Sequence, residues 1–400
     1  MNKKKNQGII LALLYLSFIS LGLPDAVLGT AWPEMRFSFN KGLEYAGLLV
    51  SLTTIISVGS SLSSGYITAR WNTGVIITAC GFMTASAMYG YSTSQTWFIL
   101  LLYTALFGIG QGAVDTAVNA YMARHYSARH MNWVHCCWGM GATGGPLIMT
   151  LAFSMGHSWR VGYLAIGLIQ TVLSLVFFFS RRLWVSGDNS GHQKHAPARA
   201  HGQAGATSLT RKQLFKASAA GICFYFLYPG VEAVAGLWGA SYFVEIHGAT
   251  PAAAALGVTI FWTALTAGRF AAGVIATRLS NAALLRGGLL LAAAGALLLI
   301  FSADIWLSRF ALILVGFSIS PLYPTMMHDT PRRLGTGQAD RVVGFQVGAA
   351  LAGTTLVPVL IGFAARHFSL SLFGPALLCF LVLLLLVHEV SFRNSLCGQA

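Results

Sequence analysis

Three carboxylates inside long apolar stretches are the residues whose chemistry most needs explaining. The 400-residue chain has only 11 Asp and Glu, and Asp25, Asp115 and Glu232 are each flanked by small and apolar side chains. At the centre of a bilayer a charged side chain costs at least about 2.5–3.5 kcal/mol on insertion scales. Such a group must face a partner, a water-filled route or a proton. A carboxyl shielded from bulk water can bind a proton and release it as its hydration changes, which suits it to coupling an ion gradient to other work.

The neighbours of these acids extend that reading. Gln111, Asp115 and Asn119 recur every four residues and share one helix face. Gly108, Gly110 and Gly112 let an adjacent helix approach closely. The polar stripe reads either as the wall of a water-filled route or as a hydrogen-bonded patch between helices. Asp25 follows Pro24 and precedes Gly29, so a hinge-side structural acid stands beside the coupling reading. Glu232 shares a face with Tyr225 and Tyr228. It reads as a second coupling site, as an acceptor for a substrate hydroxyl, or as the ion-pair partner of Arg269, and paired charges also make gates. His135 and Asn132 stand early in one segment; a His titrates near pH 6.5 and can relay protons, and a hydrogen-bonded core His is the equal alternative.

The elements that must position these residues are membrane helices. The composition is 56% hydrophobic and 9% charged, against roughly 25% charged in soluble domains. Mean hydropathy is +0.67. Apolar segments fall at about 8–33, 42–69, 73–93, 96–123, 130–156 and 159–180, then at about 217–246, 251–277, 282–303, 305–327, 339–365 and 368–390. In lipid every backbone N–H and C=O must be paired internally, so these runs are helices. The start, Lys3-Lys4-Lys5 before an apolar run, has the look of a secretory signal, but an internal repeat that includes it makes it a spanning helix. At 1.5 Å per residue Asp115 lies roughly 14 Å into its segment from the inner end, Glu232 roughly 22 Å and Asp25 roughly 26 Å along theirs.

The net charge of +14 invites a nucleic-acid partner, and the placement of the basic residues refutes it. With the N-terminus cytoplasmic, roughly 19 Lys and Arg fall in inner segments and 5 in outer ones, the asymmetry that orients membrane proteins with both termini inside. The six cysteines show no metal-site or disulfide spacing. No HExxH, Cys/His cluster, phosphate-binding loop or sizeable extramembrane region is present, so an enzyme reading, a cofactor and a metal site all lack support.

The chain also repeats itself. A Gly-, Ala-, His- and basic-rich stretch at 181–216 reads as a cytoplasmic linker between halves at 1–180 and 217–400. Asp25-Ala-Val-Leu-Gly29 parallels Glu232-Ala-Val-Ala-Gly236, 207 residues on. Gly65 to Arg70 parallels Gly273 to Arg278 at an offset of 208. Internal repeats of this kind are typical of secondary transporters, whose substrate site lies near the midplane.

Twelve spans, a basic central loop and the Gly-to-Arg turn resemble the major facilitator superfamily, although GYITARWNTG lacks the acid usual in that turn. The stretches FGIGQGAVDTAVNAYM, MNWVHCCWGMGATGGP, FYFLYPGVEAVAG, FWTALTAGRFAAG and GFSISPLYPTMM are similar to the fucose permease and bacterial glucose transporter group. The resemblance implies an all-α fold of 12 transmembrane helices in two pseudo-symmetric six-helix halves. It implies proton-coupled symport of a monosaccharide, sodium-coupled in some animal relatives, in a bacterial cytoplasmic membrane and by a monomer. In that group acids in the first and fourth helices serve proton binding and sugar recognition, and Asp25 and Asp115 match them. Sugar sites combine aromatic faces with polar groups that fix hydroxyls. The candidates are Gln111, Asn119, Asn132, Tyr225, Tyr228, Trp262, Tyr323 and Gln346, with Trp133, Trp138 and Trp238 as further aromatics, each of which also reads as packing or lipid-facing. Proton-driven efflux of drugs or metabolites is the alternative, using the same acids with a larger, more apolar cavity.

Overall fold

A computed structural model describes residues 2–126, 128–184, 211–275, 279–327 and 336–396. Within them the chain is helical, with no strand. The helices are α1 (Asn2–Asp25), α2 (Val27–Ser38), α3 (Tyr45–Arg70), α4 (Thr73–Thr93), α5 (Trp97–His125), α6 (Ala128–Ser154), α7 (Trp159–Ser180), α8 (Arg211–His247), α9 (Pro251–Ile275), α10 (Asn281–Phe301), α11 (Ile305–Ile319), α12 (Thr336–His367) and α13 (Phe373–Leu396). Twelve segments among the described residues are long and apolar enough to cross a membrane, α1 and α2 together making the first. Leu164, Leu168, Val172, Leu175 and Phe179 form an exposed apolar stripe along α7. Such a stripe is unfavourable in water and at home against lipid chains.

The first compact unit comprises Met1–Lys194 with Ala249–Thr259, and the second His195–Gly248 with Ile260–Ala400. In the first unit α1 packs on α6, α4 on α7 and α5, and α3 on α5. In the second, α8 packs on α12, and α10 on α13 and α11. The neighbour relations of α1–α6, α4–α7 and α4–α5 thus recur as α8–α12, α10–α13 and α10–α11, which is the pseudo-symmetry of a six-helix repeat.

Glycines set how closely the first pair in each unit approaches. A Cβ on Gly145 of α6 would lie 2.0 Å from the Leu23 carbonyl oxygen, and one on Gly353 of α12 would lie 1.8 Å from that of Phe226. These two glycines stand 208 residues apart, the same offset as the Gly-to-Arg turns. Side chains at either position would force backbones apart, so the repeat is kept where helices touch.

Two expectations need correction. The first segment is not one continuous helix ending near 33, because α1 stops at Asp25 and α2 runs from Val27 to Ser38. The stretch taken as linker from 181 begins with a 3-10 turn, Arg181–Trp184, whose Trp184 is buried against Tyr121 and over Gly74. Burial of that indole keeps four more residues in the first unit's packing. Residues 185–210 of the proposed linker, and Arg278 of the second turn, lie outside the described residues.

Candidate functional site

The helix break at Asp25 follows from its neighbour. Pro24 has no N–H, so the carbonyl four residues earlier loses its helical donor. That carbonyl belongs to Ser20, and Gln170 of α7 supplies the missing hydrogen through Nε2 at 2.5 Å. Ser20 Oγ in turn donates to Gln170 Oε1 at 2.5 Å, and both side chains are buried. The pair pins the end of α1 to α7. Gln170→Leu should therefore strand a buried carbonyl and a buried hydroxyl, at a cost on the order of 2 kcal/mol. An earlier thermal midpoint in detergent checks this; an unchanged midpoint would remove Gln170 from the hinge.

Held there, Asp25 gathers donors from two other helices. Gln111 Nε2 on α5 donates to Oδ1, and Trp138 Nε1 on α6 donates to Oδ2 at 2.8 Å. Both donors are neutral. Asp115 stands close enough for its charge to act on Asp25, so the two carboxylates repel when both are ionised. Asp115 itself accepts from Asn119 Nδ2 at 3.0 Å, one turn along its own helix. The stripe on α5 is thus divided, with Gln111 reaching across to Asp25 and Asn119 serving Asp115. Gly108 and Gly112 seat α5 on α3, where added Cβ atoms would come 2.7 Å from the Thr53 and 2.1 Å from the Ser57 carbonyl oxygens, while Gly110 turns toward α4.

The second unit holds a different arrangement. Glu232 on α8 accepts from Tyr228 Oη at 2.8 Å. Arg269 Nη2 on α9 lies 3.4 Å from both Glu232 oxygens, so this acid, unlike Asp25, faces a cation. Tyr225 Oη donates to the Tyr323 backbone carbonyl at 2.9 Å, with the two rings edge to face at 4.9 Å. That bond ties α8 to the chain beyond α11 and engages the Tyr225 hydroxyl in the fold.

The remaining candidates are scattered. His135 is exposed, and its ring meets Phe18 edge to face at 5.3 Å. Phe18 is seven residues before Asp25, roughly 10 Å along the helix, so His135 is not brought to the acid. Trp262 is buried against α8, where a Cβ on Gly236 would meet its ring at 2.8 Å, which is a packing contact. Gln346 is buried on α12 with its amide over Gly221. Trp133 is half exposed, and Trp238 is buried with its N–H on the Pro358 carbonyl. The side chain of Asn132 lies outside the described residues. In the sequence Trp138 reads as a stacking, packing or lipid-facing aromatic, and Gln170 carries no assigned role. A lone amide in the apolar run 159–180 was the available signal for the second.

Residues 14–349 match the family model described as Major Facilitator Superfamily. The chain is similar to sodium-dependent glucose transporter 1 of Danio rerio, at 25% identity over 88% of this chain, and spans 64% of the length of that protein. It is also similar to the glucose/mannose transporter GlcP of Bacillus subtilis (strain 168), at 20% identity over 88% of this chain and 87% of that one. A bacterial homologue of the human lysosomal transporter Spinster, solved inward-facing and occupied, superposes with a TM-score of 0.71 at 14% identity, covering 97% of each chain. The nucleoside transporter NupG gives a TM-score of 0.68 at 12% identity, covering 97% of this chain and 98% of that one.

Proposed function

The chain belongs to the major facilitator superfamily of membrane transporters, and from that premise we propose that it is a proton-coupled symporter for a monosaccharide or similar small polar solute, working by alternating access. The observation that carries this reading is Asp25, an acid within a membrane-spanning segment whose two oxygens are held by the neutral donors Gln111 and Trp138. A carboxyl held by these neutral donors changes charge by gaining or losing a proton. The glucose-transporting relatives support a sugar as cargo.

In the cycle, Asp25 or Asp115 takes a proton on the side of higher proton activity, and sugar binding follows once the repulsion between them is relieved. The loaded carrier changes its exposure, and sugar and proton leave together. Tyr228, Glu232, Arg269 and Tyr323 of the second unit serve the sugar's hydroxyls. The carrier works as a monomer in a bacterial cytoplasmic membrane with both termini in the cytoplasm. Uptake of a panel of labelled hexoses, led by glucose, into proteoliposomes with and without an inward proton gradient tests this. Gradient-stimulated uptake of one hexose is expected; folded protein that concentrates none of them would overturn the reading in favour of export of another solute.

A further inference from the structure

We propose that Trp138 is the positioning residue of the coupling site, its indole N–H holding Asp25 so that the carboxylate takes a proton and not sodium. The inference rests on the proton-symport reading above and adds the side chain that selects the ion.

An indole nitrogen donates one hydrogen and offers no lone pair. Trp138 Nε1 stands 2.8 Å from Asp25 Oδ2, a well-formed N–H···O hydrogen bond. Gln111 donates to the other oxygen, so both face the positive end of an N–H. A hard cation needs several oxygen ligands around it. A proton needs one lone pair. Gln111 can turn its amide and present an oxygen, but Trp138 has none to present.

The placement of Trp138 is built into the helix contact. A Cβ on Gly22 of α1 would lie 2.2 Å from the Trp138 carbonyl oxygen, and one on Gly141 of α6 would lie 2.3 Å from that of Ile19. The α6 backbone at Trp138 is therefore pressed against α1 less than one turn before Asp25, which sets the reach of the indole.

Among the described residues, the other titratable groups on the surrounding helices stand further from Asp25. Asp115 on α5 stands one turn from Gln111, the residue that bonds Asp25, so a charge on it acts on that acid. His130 and His135 on α6 meet α1 at Tyr15 and Phe18, roughly 15 and 10 Å along the helix from Asp25. The α7 contact is Gln170 on Ser20, and α4 meets α1 in an apolar cluster through Ile76, Ile77 and Cys80. Glu34 and Arg36 on α2 follow Asp25 by roughly 13 and 16 Å of helix. The described residues of the second unit differ: the residue 208 positions after Trp138 is Gln346, and Glu232 faces Arg269.

The test is hexose uptake into proteoliposomes as a function of external pH, with wild type, Trp138→Phe and Trp138→Gln. Phe keeps a ring in the packing and deletes the N–H; Gln restores a donor. Losing a donor to the charged form favours the protonated form, so the alkaline limb of Trp138→Phe uptake is expected about one pH unit higher than wild type. Trp138→Gln is expected to return toward the wild-type curve, and a sodium gradient at equal pH is expected to leave wild-type uptake unstimulated. A Phe variant that transports with an unmoved pH profile would overturn the role of Trp138. Stimulation by sodium alone would overturn the ion assignment and leave symport standing. Folded wild type that concentrates no hexose under either gradient would overturn the transport reading itself.

Discussion

Asp25→Asn protein in proteoliposomes is expected to bring its sugar to equal concentration on both sides and no further. At one proton per sugar, an inward gradient of one pH unit supports about tenfold accumulation, since a unit of pH is worth a factor of ten in free-energy terms. An amide at this position is permanently neutral, so the carrier exchanges sugar without linking it to a proton. The accumulation ratio should therefore fall from about ten to one while sugar counterflow persists. The amide side of Gln111 can turn to suit the new partner, which favours retention of the fold. Asp115→Asn is expected to act in the same direction, because removing its charge also removes the repulsion through which the two acids sense each other. Gradient-driven accumulation surviving in both variants would exclude these acids from coupling.

Arg269→Ala should be the more damaging change to stability. Glu232 then keeps its carboxylate within a spanning helix with Tyr228 as its hydrogen-bond donor and no cation. Removing one member of a buried ion pair costs about 3–5 kcal/mol. Both side chains here are mostly but not wholly buried, with exposures of 19% for Arg269 and 13% for Glu232, so the lower end of that range is expected. Replacing both, as Glu232→Gln with Arg269→Ala, leaves no uncompensated charge and should recover most of the loss. Thermal unfolding in detergent reads the cycle. A single Arg269→Ala that unfolds no earlier than wild type, or a double variant worse than either single, would contradict an ion pair that matters to the fold.

Much of the architecture was legible because a bilayer leaves the chain few choices. Apolar length predicts the helices, and the segments at 73–93 and 305–327 coincide with the structure at both ends. The acids were legible for the same reason, since Asp25, Asp115 and Glu232 are conspicuous against their surroundings. Which partner each one takes was not. Arg269 was open to either half's acids until helix packing set it beside Glu232. Trp138 has an apolar face and a polar tip, and only the approach of α6 to α1 decides that the tip does the work. His135 shares a helix face with Trp138, yet it stands about a turn earlier and meets Phe18, roughly 10 Å along α1 from the acid. The hinge was half visible: Pro24 announces a lost hydrogen bond, but the side chain that replaces it comes from 150 residues away.

Proton movement itself can be followed as sugar enters. Vesicles holding the protein are suspended in weak buffer with no imposed gradient, a carried hexose is added outside, and external pH is followed. Symport at Asp25 predicts alkalinisation on sugar addition, abolished by a protonophore and absent in Asp25→Asn. Sugar entry with no change in external pH would contradict proton coupling.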